Sequence, residues 1–234
     1  GKWYELTEDK VLNIAWNETT EVLLENELKK GQVKVIKVDE ENNNIKLKEV
    51  EFEVLNEDNE VLERITTDEN GEAISSEYPI RDFSKLKIRE TKTLENYALS
   101  DEVQTVILKQ NEITEVVFAN KKIKGKIEIT KISADDNEKT GEKRGTPLKG
   151  AVFEIYTEDD KLIDTVVTDR SGKAESKLLQ YGRYYVKEKS TGSDYYLLNT
   201  EKYYVEINEN GRTIPVTIEN TSVKVKKELP KTGF

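Results

Sequence analysis

The sequence predicts an all-β protein built from tandem β-sandwich repeats. Short runs of β-branched and aromatic residues alternate with polar ones, and turn sequences such as residues 67–71 and 168–172 separate them. Helical periodicity is hard to find. A β-rich segment that ends in asparagine occurs three times, at Asn26, Asn120 and Asn220, with spacings of 94 and 100 residues. A period of that length is typical of whole domains rather than of short solenoid units.

The repeated segment also places the domain boundaries. Asn26 and Asn120 are each followed within five residues by an apolar residue, a lysine and a glycine, and a strand-like sequence starts after that glycine. We therefore expect two complete repeats, at residues 31–122 and 123–223, and a flexible tail at residues 224–234. Residues 1–30 are expected to be the last strands of a preceding repeat, which cannot bury a core alone.

Composition narrows the function classes. The 234 residues carry a net charge of −10 that is spread among many lysines, which argues against nucleic acid and anionic membranes as partners. The chain has no cysteine and no histidine, so disulfides and thiolate metal sites are excluded and the commonest general base is missing. The acidic runs lack EF-hand spacing. We expect no cofactor, no metal and no enzymatic turnover.

Strand alternation places three polar side chains on the apolar face of each complete repeat. In the first repeat these are Lys37, Glu90 and Asn120, and in the second they are Lys131, Glu188 and Asn220. Asn26 is likewise in phase with Val22 and Leu24. A buried polar group without a partner costs roughly 1–3 kcal/mol, and a charge costs more. The three side chains of each repeat are therefore expected to meet in its core.

These residues resemble a known family. The resemblance rests on several segments. They are residues 37–39 and 131–133, the segment at residues 147–156, the predicted strands around Glu90 and Glu188, the following Tyr97 and Tyr196, and the asparagines that end the last strands. Together they resemble the B-type repeats of collagen-binding surface proteins, which Gram-positive pilins share. Two departures are visible: the glutamate strands lack the usual following proline, and Ser133 occupies the position at which the first repeat has Asp39.

The resemblance implies a transthyretin-like, inverse immunoglobulin-like sandwich with an amide bond between lysine and asparagine on its first and last strands. Lys37 would join Asn120 with help from Glu90, and Lys131 would join Asn220 with help from Glu188. Burial favours a neutral lysine amine that can attack, and a protonated glutamate that polarises the asparagine carbonyl. Ammonia leaves, and each glutamate acts once. Asn26 would be an orphan isopeptide asparagine, because its lysine would precede Gly1.

The last residues carry a second resemblance. Leu229, Pro230, Lys231, Thr232 and Gly233 resemble the sortase signal of Gram-positive surface proteins, and they follow a basic segment. That resemblance implies cleavage between Thr232 and Gly233 and transfer of the threonine carboxyl to a peptidoglycan or pilin amine. The implied partners are a sortase and the cell wall, and the implied location is the cell surface of a secreted protein.

The sequence is compatible with two classes of function, a structural stalk and an adhesin, and the stalk has a variant in which the chain is a pilin subunit. The favoured interpretation is a cell-wall-anchored stalk that holds a distal domain away from the wall. Alternatively, the repeats are an adhesin that binds a host extracellular-matrix protein directly. A sortase-polymerised pilin subunit would also need a dedicated linking lysine, which the sequence does not reveal.

Overall fold

The computed structural model describes residues 1–224, and the predicted sortase motif at residues 229–233 lies outside the described residues. The chain divides into two compact units, Gly1–Lys121 and Lys122–Phe234. Residues 1–224 form strands, turns and bends, and they contain no helix that could cross a membrane. The predicted all-β fold class is confirmed.

Within residues 1–224, each unit contains eight strands in the same order. The strands of the first unit are β1 (Lys30–Asp39), β2 (Glu51–Leu55), β3 (Val61–Thr66), β4 (Glu72–Ile74), β5 (Tyr78–Pro79), β6 (Lys85–Lys92), β7 (Val103–Ile107) and β8 (Ile113–Asn120). Those of the second are β9 (Lys124–Ser133), β10 (Val152–Thr157), β11 (Leu162–Val167), β12 (Lys173–Glu175), β13 (Leu179–Gln180), β14 (Gly182–Ser190), β15 (Lys202–Ile207) and β16 (Thr213–Asn220).

Two sheets face each other in each unit. In the first unit β1 pairs with the short strands β4 and β5 on one side and with β8 on the other, while the second sheet has the order β3-β2-β6-β7. The pairing of β1 with β8 is parallel, although these are the first and last strands of the repeat. The second unit repeats this topology, with β9 parallel to β16 and a second sheet in the order β11-β10-β14-β15.

The core lies between the sheets and follows the strand alternation. In β1 every second residue from Gly31 is buried, and in β9 the same pattern runs from Gly125 to Ser133. Phe52 and Phe118 pack across the first core with their ring centroids 5.0 Å apart. Buried side chains in such alternating runs supply most of the driving force for folding, at about 25 cal/mol per Å² of apolar surface.

A glycine turn supports the strand that carries each candidate lysine. Gly71 has a φ of +69°, which side-chain-bearing residues rarely adopt, and its carbonyl accepts the Lys37 N–H at 2.7 Å. A Cβ atom at Gly71 would lie 2.7 Å from the Lys37 carbonyl oxygen. Gly172 stands in the same relation to Lys131, with a φ of +72°. These two turns need glycine because the lysine backbone passes directly against them.

Residues 1–29 depart from the expected strands. Their one bridge joins Tyr4 to Leu28, and the Glu5 carboxylate accepts hydrogen bonds from the side chains of Gln110 and Asn111. The strand expected at residues 22–26 does not form, and Asn26 is exposed rather than turned toward a core. The physical reason is that no neighbouring strand in the described part of the chain pairs with this segment, so nothing fixes its side-chain alternation.

Two buried lysine, glutamate and asparagine clusters

The sandwich brings the predicted residues of the first repeat together from both sheets. In the parallel pairing of β1 with β8, Lys37 is opposite Phe118 and Asp39 is opposite Asn120. Lys37 and Asn120 are therefore diagonal neighbours, and both side chains are buried. Glu90 comes from β6 of the facing sheet and points into the same core. The second repeat brings Lys131, Glu188 and Asn220 together from β9, β14 and β16.

In the first repeat the three side chains form a closed set of short contacts. Lys37 Nζ lies 2.5 Å from Asn120 Oδ1 and 2.5 Å from Glu90 Oε2. Asn120 Nδ2 donates to Glu90 Oε1 at 2.6 Å and to the hydroxyl oxygen of Thr93 at 2.9 Å. The Lys37 and Glu90 side chains have no solvent exposure. Every hydrogen-bonding group of the set thus has a partner inside the core.

The second repeat has the same set with a different arrangement around it. Lys131 Nζ lies 2.5 Å from Asn220 Oδ1, but 3.5 Å from Glu188 Oε1. Asn220 Nδ2 donates to both Glu188 oxygens, at 2.9 and 3.0 Å. The lysine also donates to the Ile218 carbonyl at 3.2 Å, and the backbone N–H of Asn199 donates to Glu188 Oε2 at 2.7 Å. Lysine and asparagine therefore meet as closely as in the first repeat.

Burial changes the protonation of both lysines. Desolvation lowers the pKa of Lys37, and its contacts with Glu90 oppose that change without reversing it. For Lys131 desolvation is again the main cause and lowers the pKa to about 8, against the opposing attraction of Glu188. A lysine with a lowered pKa holds a larger fraction of neutral amine at neutral pH, and the neutral amine is the nucleophilic form.

Aromatic rings lie near the amine of the first cluster, and the asparagine residue of each cluster borders a surface cavity. The Lys37 amine lies 5.8 and 5.9 Å from the ring centroids of Phe52 and Phe118. Asn120 also lines a surface cavity of about 270 Å³, and Asn220 lines one of about 300 Å³ at the corresponding place. Each asparagine residue therefore lies between a buried amine and a surface cavity, while its side chain itself is buried.

The substitution of serine for aspartate after the second lysine has a structural counterpart. In the first repeat the Tyr97 hydroxyl donates to Asp39 at 2.7 Å. In the second repeat Ser133 Oγ donates to the Asp135 carbonyl, and the Tyr196 hydroxyl donates to Glu142 at 2.8 Å. The tyrosine thus keeps a carboxylate partner, which comes from a loop instead of the strand.

Sequence reasoning missed three groups that touch the clusters: the Thr93 hydroxyl, the Asn199 backbone N–H and the Ile218 carbonyl. Thr93 follows the glutamate strand and is only half-buried, so alternation gives no signal for it. The other two groups belong to the backbone and are invisible in a side-chain pattern. Residues 1–224 contain no cluster of three or more acidic, histidine or cysteine side chains that could hold a metal.

Comparison with known proteins places the chain in a family. The model of the SpaA prealbumin-like fold domain matches it twice, at residues 31–122 and 125–222. The chain belongs to this family and consists largely of two such domains in tandem. Each unit is a two-sheet sandwich whose first and last strands pair in parallel, and this is the prealbumin-like class of fold.

Two individual relatives are similar to this chain over parts of their length. The chain is 38% identical over 86 residues to the trypsin-resistant surface T6 protein of Streptococcus pyogenes serotype M6, which covers 37% of this chain and 16% of that protein. The solved structure of the Bacillus anthracis TIE protein is 32% identical, with a TM-score of 0.74 over 93% of this chain and 39% of that one. The chain therefore spans well under half of either relative. What these comparisons show is a tandem pair of prealbumin-like domains.

Proposed function

We propose that this chain is part of a cell-wall-anchored stalk whose two repeats are each stapled by an autocatalytic isopeptide bond. The observation that carries the proposal is the approach of a fully buried lysine amine to within 2.5 Å of an asparagine side-chain oxygen, once in each repeat. An arrangement that merely satisfied buried polar groups would not require lysine, which is almost never fully buried. Its repetition with the same residue types indicates chemistry.

The proposed step balances without a cofactor. The neutral Lys37 amine attacks Cγ of Asn120, the new Nζ–Cγ bond forms and the Cγ–Nδ2 bond breaks. One proton passes from Nζ to Nδ2, and ammonia leaves through the adjacent cavity. Glu90 touches both nitrogens, at 2.5 and 2.6 Å, so it is placed to carry that proton. Lys131, Glu188 and Asn220 would react in the same way.

The contact of the glutamate differs from the one that the sequence predicts. We expected its proton to polarise the asparagine carbonyl, but Asn120 Oδ1 accepts from Lys37 and Glu90 lies against the amide nitrogen. The glutamate is better placed as a proton shuttle between the attacking and leaving nitrogens than as an electrophile at the carbonyl. Glu188 also lies against the amide nitrogen of its asparagine.

The bond would act on both stability and mechanics. Lys37 and Asn120 are 83 residues apart, and in the chain-entropy model closing a loop of that length stabilises the fold by about 4–5 kcal/mol. The linked strands β1 and β8 are the first and last of the repeat, so tension along the chain would enter and leave through them. The covalent link would then carry the force directly between these strands.

Peptide mapping tests the bond assignment. After exhaustive proteolysis, mass spectrometry should find one branched peptide joining Lys37 to Asn120 and another joining Lys131 to Asn220. A chain in which all four residues appear in linear peptides contradicts the proposal.

Anchoring is proposed from the motif at residues 229–233, which resembles a sortase signal. A sortase of this specificity and an amine acceptor should convert the chain into a product that ends at Thr232, and Thr232→Ala should block it. Absence of cleavage with a sortase that cuts a control substrate would contradict anchoring and leave the bond proposal intact.

The stalk is favoured over a directly binding adhesin because both repeats use the same sandwich and the same internal cluster. A matrix-binding assay on purified residues 31–223 separates the two. The stalk interpretation predicts no saturable binding to host-matrix proteins, while saturable binding by these repeats favours the adhesin. Laddering into polymers with a pilin-type sortase would instead favour the pilin subunit.

A further inference from the structure

The two clusters hold their asparagines differently, although the reacting groups are the same. Asn120 Nδ2 donates one hydrogen bond to Glu90 and a second to Thr93 Oγ1, on two separate residues. Asn220 Nδ2 donates to the two oxygens of one carboxylate, that of Glu188. The first arrangement fixes the plane of the amide, because an acceptor on a second residue resists rotation about the Cβ–Cγ bond.

The sequence offers threonine at the same place in both repeats. Thr93 and Thr191 each lie three residues after the cluster glutamate. The Thr191 hydroxyl donates to the Ser193 carbonyl at 2.6 Å and accepts the Ser193 N–H, so it closes a local turn instead of reaching Asn220. The two threonines occupy equivalent positions but make different contacts. Thr191 closes a local turn, and only Thr93 touches a reacting group.

We propose that Thr93 is a positioning residue for isopeptide bond formation in the first repeat. This inference rests on the proposed bond. Its hydroxyl oxygen holds the second Nδ2 hydrogen, so that Asn120 Oδ1 points at Lys37 and Nδ2 stays against Glu90. As Nδ2 receives the proton and departs, the same oxygen remains an acceptor for it. The second repeat uses other supports, namely the Ile218 carbonyl on the lysine and the Asn199 N–H on Glu188.

The test compares rates of bond formation in the two repeats of one molecule. The chain is recovered unfolded from inclusion bodies before any bond has formed. It is then refolded by dilution, quenched with acid at intervals and mapped by mass spectrometry. Thr93→Val removes the hydroxyl while keeping the side-chain shape. It should slow the Lys37–Asn120 bond roughly two- to tenfold, the usual effect of losing one neutral hydrogen bond. The Lys131–Asn220 bond of the same chain should be unaffected.

Two matched variants separate positioning from packing. Thr93→Ser keeps the hydroxyl and should restore most of the rate, whereas Thr191→Val should leave both rates unchanged. If Thr93→Val misfolds, Thr93→Ala takes its place, with the second repeat as the folding control. A wild-type rate in Thr93→Val, or a Thr93→Ser rate as slow as that of Thr93→Val, overturns the inference while the bond itself stands. If the wild-type chain forms no bond at all, the proposed function fails, and this inference with it.

Discussion

Lys37 Nζ lies 2.5 Å from Asn120 Oδ1 although 83 residues separate them along the chain. The contact exists because β1 and β8, the first and last strands of the repeat, pair in parallel and place these two residues on the same face. Both side chains are buried, so each finds its polar partner in the core rather than in bulk water. Sheet topology therefore produces the reactive pair, and the facing sheet supplies Glu90.

Replacing either glutamate should block only the bond of its own repeat. In Glu90→Gln the side chain cannot carry the proton from Lys37 to the leaving nitrogen, so the first bond should fail while the second forms. The variant should stay folded by circular dichroism and lose about 4–5 kcal/mol of stability in that repeat. Intact mass measures the outcome, with Glu188→Gln as the reciprocal control. Full ammonia loss in Glu90→Gln would refute the proposed role of Glu90.

Bond formation in the second repeat should depend on pH. The lowered pKa of Lys131, about 8, means that its neutral fraction rises as the pH passes through that value. The rate measured on refolded chain should therefore increase between pH 7 and 9, as estimated from this pKa, and level off above it. Before the bond forms, the folded state also binds fewer protons than the unfolded state between about 8 and the ordinary value of 10.5, so stability rises with pH in that window. A flat profile would exclude lysine deprotonation as the limiting equilibrium.

The glycine turn behind each lysine should be needed for the reaction as well as for stability. Gly172→Ala would push a Cβ against the Lys131 backbone at a φ of +72° and should cost about 1–3 kcal/mol. Because the displaced segment carries the lysine, its bond should form more slowly. Gly141→Ala is the matched control, since Gly141 also has a positive φ, of +81°, but a Cβ there meets nothing within 4 Å. Equal effects of the two changes on bond formation would show that backbone strain alone matters.

Residues 1–29 should be cut by protease long before either repeat. Leu23 is 74% exposed and the segment is held by one bridge and a few side-chain contacts, so its backbone is accessible. Limited proteolysis should release fragments that begin near Gly31, and Asn26 should appear only in linear peptides. Protection of this segment equal to that of the repeats, or a cross-linked Asn26, would contradict the account of it.

The sequence predicted much of this architecture because strand alternation is a strict signal in a two-sheet sandwich. Lys37 and Lys131 share the phase of apolar neighbours, and the structure buries both completely. The same rule failed for Asn26, because alternation has meaning only when a neighbouring strand fixes the backbone. The alternation pattern indicates which face of a strand a side chain occupies, but it cannot establish that the strand forms.

Other contacts in the first repeat, some at the site and some away from it, could not be predicted from the pattern. The contact of Thr93 with Asn120 depends on how the chain turns after β6, and Thr191 shows that an equivalent threonine can turn elsewhere. Glu53 is a further example: it is nearly buried on β2 and accepts paired hydrogen bonds from Arg64 and Arg89. These hydrogen bonds lower the pKa of Glu53, and those from Arg89 have the largest effect. They form only because the strand register places both arginines beside Glu53.

The most direct test of the central claim is the intact mass of the 234-residue chain, which is first folded and then denatured for the measurement. Two isopeptide bonds release two ammonia molecules, so the account predicts a mass lower than that of the sequence by two ammonia molecules. The double variant Glu90→Gln, Glu188→Gln should show no such loss. A folded wild-type chain with the unmodified mass would contradict the account, because the buried clusters would then be polar packing without chemistry.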